Sequence, residues 1–408
     1  MSHNSRRQTE EAEPFIIGES EREITAASSL RAVWETHVWF NMFGSAVIPI
    51  AVASSYLGWS DAAVFTLNFC AIIPLAKMLD FATDQLAMRT GETIGGLLNA
   101  TFGNAVELIL SVMALRENLF HVIQASMIGS ILSNMLLVLG FCFLLGGLVP
   151  FEFNKFQKFD ADKANLSAGL LSLTFLGFLV PAAVRYEFAQ DEKDGDAKVL
   201  AISRGIAVVL LAIYVAYLVF QLYTNPNGLL VTPRSRRIIE RSNSMESPSG
   251  GEGTDADDDT SEKPTTLAWV AIATLAGSTL IIAVCAELLV GSIEGLSKQA
   301  GISETFIGII VLPIVGNAAE HVTAVSSAIR NKMDLSIQVA VGSSHQIGWF
   351  LDKGMDLDFG ALQTAVLLVS TLVVNALIQD GRTHWFEGFM LICAYIIVSI
   401  GFYYVPDP

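Results

Sequence analysis

Charge is scarce in this chain, and the basic half of it scarcest. Of 408 residues only 16% are charged, with 24 Lys and Arg against 40 Asp and Glu; a soluble globular chain carries about 25%. A net charge of −16 excludes a nucleic-acid partner as the default reading, since that needs a basic footprint. Cysteine is nearly absent. Cys70, Cys142, Cys285 and Cys393 all lie in apolar runs without CxxC or zinc-ligand spacing, which makes them small hydrophobes. The polar first 35 residues contain no short apolar stretch with a small-residue cleavage site, which argues against a cleaved leader and makes the first apolar span the targeting signal. Strict alternation, the mark of membrane β-strands of about 10 residues, is missing from runs such as "NMLLVLGFCFLLGGLV" (134–149).

What the chain has is apolar length. It is 52% hydrophobic with a mean hydropathy of +0.52. A bilayer core of about 30 Å needs roughly 20 apolar residues per helix. Candidate spans lie near 38–58, 62–80, 94–115, 121–149, 164–184, 201–223, 267–293, 304–329, 335–351, 360–378 and 385–405, eleven in all. The fold class is all-α: a polytopic membrane protein embedded in the lipid bilayer. With the N-terminus cytosolic, 16 basic residues face the cytosol and 7 the opposite side, with Lys77 left inside a span. The positive-inside rule therefore places the N-terminus in the cytosol.

A polar segment, 224–266, interrupts the bundle. It opens with a basic patch (Arg234, Arg236, Arg237, Arg241) and ends acidic, with Glu252, Asp255, Asp257, Asp258, Asp259 and Glu262. Such a run reads either as a solvated linker or as a cytosolic element that gathers cations at a pore mouth. The halves it separates resemble each other. Gly103-Asn104-Ala105-Val106-Glu107 matches Gly316-Asn317-Ala318-Ala319-Glu320, and twenty-six residues after each first glycine come Gly129-Ser130 and Gly342-Ser343. Two matches at equal spacing indicate duplication. The organisation expected is a tail (1–35), a peripheral helix (36–60), a first five-helix repeat (61–223), the linker (224–266) and a second five-helix repeat (267–405). An odd number of spans inverts the second copy, and inverted repeats place a transporter's site near the midplane.

Glu107 and Glu320 fall in the middle of apolar spans, where a carboxylate is a functional candidate by default. Either one alone could be satisfied by a neighbouring helix; equivalent placement in two repeats favours a shared role. Asn104 and Asn317 precede them by three residues and share their helix face. These oxygens suit a hard cation such as Ca²⁺, which takes six to eight of them. Two carboxylates balance one divalent ion, and when it is absent burial and like charge favour protons in its place. Competition between Ca²⁺ and H⁺ for the same oxygens is a chemical basis for exchange. Asp84 and Glu287 stand ahead of the two motifs, as access-route carboxylates or as interfacial ones. Ser130, Ser133, Asn134, Ser343, Ser344 and Gln346 offer neutral oxygens on the following helices, or bonds to nearby backbone. His321 has no counterpart in the first half and is either a proton shuttle or a packed imidazole.

These residues carry a resemblance. "GGLLNATFGNAVELI" (95–109) and "FIGIIVLPIVGNAAEHVTAV" (306–325) resemble the signature repeats of the calcium/proton exchangers of fungal vacuoles and plants, within the cation/calcium exchanger superfamily. The similarity runs from about residue 60 to 404 and includes "NFCAIIPLAKMLDFATDQLA" (68–87), "QASMIGSILSNMLLVLG" (124–140) and "WFEGFMLICAYIIVSIGFYY" (385–404). The resemblance implies low-affinity, high-capacity Ca²⁺ uptake into the vacuole driven by outward proton flow, with Glu107 and Glu320 coordinating the ion. It also implies an acidic cytosolic helix at 252–262, Mn²⁺ as a secondary substrate, and no cofactor beyond the transported ions. The family usually has Glu where this chain has Asp84. Oligomeric state is left open.

The second repeat departs from the pattern. After Gly342-Ser343-Ser344-His345-Gln346-Ile347 the chain passes directly to Gly348-Trp349-Phe350-Leu351-Asp352-Lys353, about eleven apolar residues short of the first repeat, or about 16 Å of helix. Either this is a splice variant or gene-model error that yields an inactive form, or the short span thins the bilayer and is rescued by its neighbours. Three rivals to a proton-coupled exchanger stand beside it: a Na⁺- or K⁺-coupled exchanger, a Ca²⁺ sensor that binds without flux, and an intramembrane hydrolase. The last lacks HExxH, and Glu320-His321 alone is no zinc motif.

Overall fold

A computed structural model describes residues 24–36, 38–149, 156–188, 192–220, 264–330, 333–342 and 357–407. The acidic residues Glu252 to Glu262, and Ser343, Ser344 and Gln346, lie outside the described residues. The helices are α1 (Ala26–Thr36), α2 (Val38–Tyr56), α3 (Asp61–Phe102), α4 (Ala105–Arg116), α5 (Phe120–Leu132), α6 (Leu139–Leu148), α7 (Ala161–Glu187) and α8 (Glu192–Val219). Then follow α9 (Ala268–Gly291), α10 (Ile293–Ala300), α11 (Glu304–Phe306), α12 (Leu312–Gly316), α13 (Ala318–Ile329), α14 (Met333–Gly342), α15 (Ala361–Ile378) and α16 (Trp385–Tyr403). Two π-helical segments, Ser133–Val138 and Ile307–Val311, join α5 to α6 and α11 to α12. A two-residue antiparallel pair, β1 (Gln157–Lys158) with β2 (Arg382–Thr383), is the sheet among the described residues.

Local chemistry starts these helices where the sequence changes character. Ser60 caps α3 by accepting from the Ala63 amide, and Ser303 caps α11 by accepting from Phe306 at 3.1 Å. At the same end Asp407, close to the chain's end, accepts from the Glu304 and Thr305 amides at 3.0 and 2.8 Å. The carboxylate of Glu304 lies 2.8 Å from His121 Nε2, which ties α5 to that helix start.

Among the described residues, eight helices are long and apolar enough to cross a membrane, or nine if the bent pair of α10 with Glu304–Gly316 counts as one span; that pair turns through 115°. The difference from eleven expected spans has a physical source. Spans 94–115 and 304–329 are not single rods, because each is interrupted at its Gly-Asn step. Of span 335–351, the described residues contain only 335–342, within α14. The 42 residues of α3 are not a straight rod either. A Cβ added to Gly95 would sit 2.7 Å from the Ala87 carbonyl oxygen, whereas eight residues of straight helix rise about 12 Å. The chain therefore folds back between them.

The span Phe120–Leu148 is the centre of the bundle: 78% of its most apolar window is buried, against 11% for Lys198–Tyr217 at the edge. Met135, Leu136, Leu139, Cys142 and Phe143 are fully enclosed, and all four cysteines are free. Glycines permit the tight packing around this span. An added Cβ at Gly308 would lie 2.7 Å from Ala125 Cβ, and Gly388 of α16 presses on the Gly140 carbonyl. Close approach of backbones through small residues is how helices associate in lipid, where burial of apolar surface gives no net drive. Val208, Val209, Leu280, Val369 and Ile397 are exposed apolar side chains, as a lipid-facing surface requires.

Candidate ion-binding site

Both Gly-Asn steps break their helices in the same way. Asn104 has φ −101° and ψ 16°, and Asn317 has φ −91° and ψ 8°. A new helix begins immediately after each, at Ala105 and Ala318, so Glu107 and Glu320 stand in the first turn of α4 and α13. The glutamates are therefore not in mid-helix, as the apolar run suggested. A first turn has unpaired amides and the positive end of the helix dipole, which favours a carboxylate there. The asparagine carbonyls accept the first bonds of the new helices, from Leu108 at 3.0 Å and from His321 at 2.9 Å.

The two carboxylates meet on the central helix. Ser130 Oγ hydrogen-bonds Glu107 Oε1, and Asn134 Nδ2 donates to Glu320 Oε2 at 3.1 Å. A serine hydroxyl has one proton. Ser130 gives it to Glu107 and accepts in turn from Asn317 Nδ2 at 3.1 Å, so a relay runs Asn317 to Ser130 to Glu107. Ser133 Oγ lies 3.4 Å from His321 Nε2. Ser130, Ser133, Asn134 and Asn317 are all buried, while the two glutamates are half-buried. The π-helical turn begins at Ser133, beside the carboxylates; such turns commonly mark functional sites. Gly316 backs the site directly: a Cβ there would be 3.1 Å from Glu107 Cγ.

Ser130 and Asn134 are four residues apart, about 6 Å along the helix. Carboxylates held at these two positions can both reach a cation with Ca–O distances of about 2.3–2.6 Å. Hydroxyl and amide oxygens from Ser130 and Asn317 stand beside them. The arrangement sets two carboxylates from opposite halves of the chain beside neutral oxygens, a donor set of the kind that hard cations take.

Of the residues singled out in the sequence, the structure gathers Glu107, Glu320, Asn317, Ser130, Ser133, Asn134 and His321 here, with Asn104 at the position just before the Glu107 helix. Glu287 is half-exposed, 3.9 Å from Arg116 at the end of α4, away from this cluster. Asp84 is exposed on α3. Its neighbour Gln85 is the buried one and accepts from the Thr265 and Thr266 amides at 2.8 and 3.2 Å, docking the start of α9 on α3. Sequence reasoning missed Gln85, since a glutamine in an amphipathic stretch carries no distinctive signal. It also gave no role to Lys77, although an ammonium left inside an apolar span was the signal to look for.

A membrane bundle with paired carboxylates on broken helices defines a cation-carrier class, and the comparisons agree. The sodium/calcium exchanger protein family model matches residues 60–223 and 270–404, and the chain belongs to that family. It is 39% identical over 377 residues to the vacuolar calcium ion transporter of Schizosaccharomyces pombe, covering 88% of this chain and 84% of that one. It is 42% identical over 371 residues to vacuolar cation/proton exchanger 5 of Arabidopsis thaliana, covering 88% and 80%. The solved structure of native YfkE superposes with a TM-score of 0.71 at 33% identity, over 90% of this chain and all of that one.

Proposed function

We propose that the protein is a vacuolar-membrane Ca²⁺/H⁺ antiporter that moves cytosolic Ca²⁺ into the vacuole in exchange for protons. The observation that carries this reading is the convergence of Glu107 and Glu320 on Ser130 and Asn134. Its relatives support the choice of ion and counter-ion: they include a vacuolar calcium ion transporter and a vacuolar cation/proton exchanger at about 40% identity, and YfkE is a Ca²⁺/H⁺ antiporter protein. Mn²⁺, which also takes oxygen ligands, is a second cargo for the same oxygens in this reading.

The halves are read as inverted repeats of five spans, with an additional first helix and a cytosolic N-terminus. Alternating access then follows from chemistry already in place. Protons arriving from the lumen neutralise the two carboxylates and release Ca²⁺ there; their loss toward the cytosol restores a doubly negative site. Asp84 and Glu287 would serve the access routes, His321 with Ser133 the proton path, and Ser343, Ser344 and Gln346 the second half's share of neutral oxygens. Glu252, Asp255, Asp257, Asp258, Asp259 and Glu262 would form the cytosolic acidic element.

The test is Ca²⁺ uptake into acidified vesicles containing this chain. Uptake that a protonophore abolishes is expected; uptake that ignores the pH gradient but follows Na⁺ or K⁺ would replace the proton as counter-ion. The short stretch 335–351 supports a second reading, a transport-defective form. A version with that span lengthened to match 121–149 separates the two: uptake by the lengthened chain alone would identify the natural sequence as the defective one, and Ca²⁺ binding without flux in both would make it a sensor.

Ser130→Ala gives a finer test of the site. It removes the donor to Glu107 and the acceptor for Asn317 while leaving both charges. Losing these two hydrogen bonds costs about 1–2 kcal/mol, so apparent Ca²⁺ affinity should fall roughly 5- to 30-fold with little change in maximal rate. An unchanged concentration dependence would remove Ser130 from the site.

A further inference from the structure

Lys77 is a basic residue enclosed in a membrane span: the whole residue is 8% exposed. Ionisable groups in such places are costly and have a task. Its Nζ donates to Asp80 Oδ2 at 2.6 Å, one turn along the same helix, and to Thr323 Oγ1 at 3.0 Å. Thr323 belongs to α13 in the other half of the chain. It stands three residues after Glu320, on the same face of the helix. The ammonium thus sits among oxygens from both halves, at distances a monovalent cation of its size would adopt. The side chain of Asp80 is 32% exposed against 11% for Lys77, so the cage has an open side.

We propose that the Lys77 ammonium is a built-in monovalent cation. It fills a cage formed by Asp80 and Thr323, holds α13 and its Glu320 against α3, and spares the transporter a soluble monovalent co-ion. The cage would accept K⁺ if the ammonium were removed. This inference rests on the antiporter reading for its transport consequence, but occupancy of the cage can be measured without transport. Three observations favour a cation cage over a simple salt bridge. The ammonium is shared with a neutral hydroxyl from another helix. That helix carries a site carboxylate. The acid partner is open on one side, which a purely structural pair inside a span has no need of.

The experiment compares the natural chain, Lys77→Ala and Lys77→Ala/Asp80→Asn, each checked for folding by its elution profile. Ca²⁺ uptake is measured with equal K⁺ on both sides, or with N-methylglucamine in its place, and binding of radioactive Rb⁺ to the purified proteins is measured in parallel. The natural chain should take up Ca²⁺ equally in both salts and bind no Rb⁺. Lys77→Ala should lose at least about tenfold of its uptake in N-methylglucamine, recover most of it in K⁺, and bind Rb⁺. The double variant should neither bind Rb⁺ nor respond to K⁺. A folded Lys77→Ala protein that transports normally in N-methylglucamine, that K⁺ does not rescue, or that fails to bind Rb⁺ overturns the proposal. Lack of uptake by both the natural chain and its lengthened version would sink the antiporter reading alone, since the Rb⁺ comparison still decides the cage.

Discussion

Glu320→Gln should abolish proton-driven Ca²⁺ uptake, lowering it by more than about 100-fold, and Glu107→Gln should do the same. Glutamine keeps the shape of the side chain, and at position 320 its amide oxygen can still accept from Asn134 Nδ2, now at 3.1 Å. What it removes is half the charge that balances a divalent ion and the group that releases a proton for it. A loss of about 3 kcal/mol of ion binding corresponds to that factor, and an ion bound without proton exchange would still not be transported. Both variants should fold, because neither introduces bulk and each replaces a carboxylate that is only half-buried. Uptake within a few-fold of the natural chain in either variant would show that the carboxylates do not form one site. Reduction by one variant alone would reassign the ion to that half of the chain.

The second large effect is on assembly. Gly129→Val should prevent a stable bundle, because a Cβ at this position already collides with the Ile309 carbonyl oxygen. The obstacle is backbone, which no rotamer change relieves. Even added methylenes in a packed core cost about 1–3 kcal/mol, and a branched side chain against a main chain exceeds that range. The crossing of α5 with the π-turn at Ile307–Val311 is also what sets Ser130 against Glu107, since Ser130 is the next residue along. Gly277→Ala and Gly205→Ala provide the comparison: nothing lies within 4 Å of a Cβ at either position. They should leave the melting temperature unchanged or raise it slightly, since alanine is the better helix former. A thermal-shift series on detergent-solubilised protein checks both. If Gly129→Val melts like the natural chain, the helices are not as close as the crossing requires.

The fold class was legible because lipid imposes one simple condition: every backbone group must be paired within its own segment, over about 20 apolar residues. Most of the candidate site was legible for a related reason. Polar groups are so expensive in such runs that Glu107, Glu320, Asn317, Ser130 and Asn134 stand out singly, and the repeated Gly-Asn spacing joins them. The count of spans was less legible. Hydropathy reads composition along a line and does not register a break, so the interruptions at Asn104 and Asn317 looked like continuous rods.

The sequence by itself determined that this is a helical membrane protein, that its halves share a motif, and which carboxylates carry it; each follows from local composition and spacing. Only the tertiary structure decided that Glu107 and Glu320 begin new helices, that Glu107 bonds Ser130 and Glu320 bonds Asn134, and that Glu287 lies beside Arg116. It alone put Lys77 against Thr323, 246 positions away in the chain. The reason is that a hydrogen bond between helices depends on how two surfaces cross. That crossing is set by glycine contacts such as Gly129 with Ile309 and Gly308 with Ala125, which no pattern along a single segment encodes.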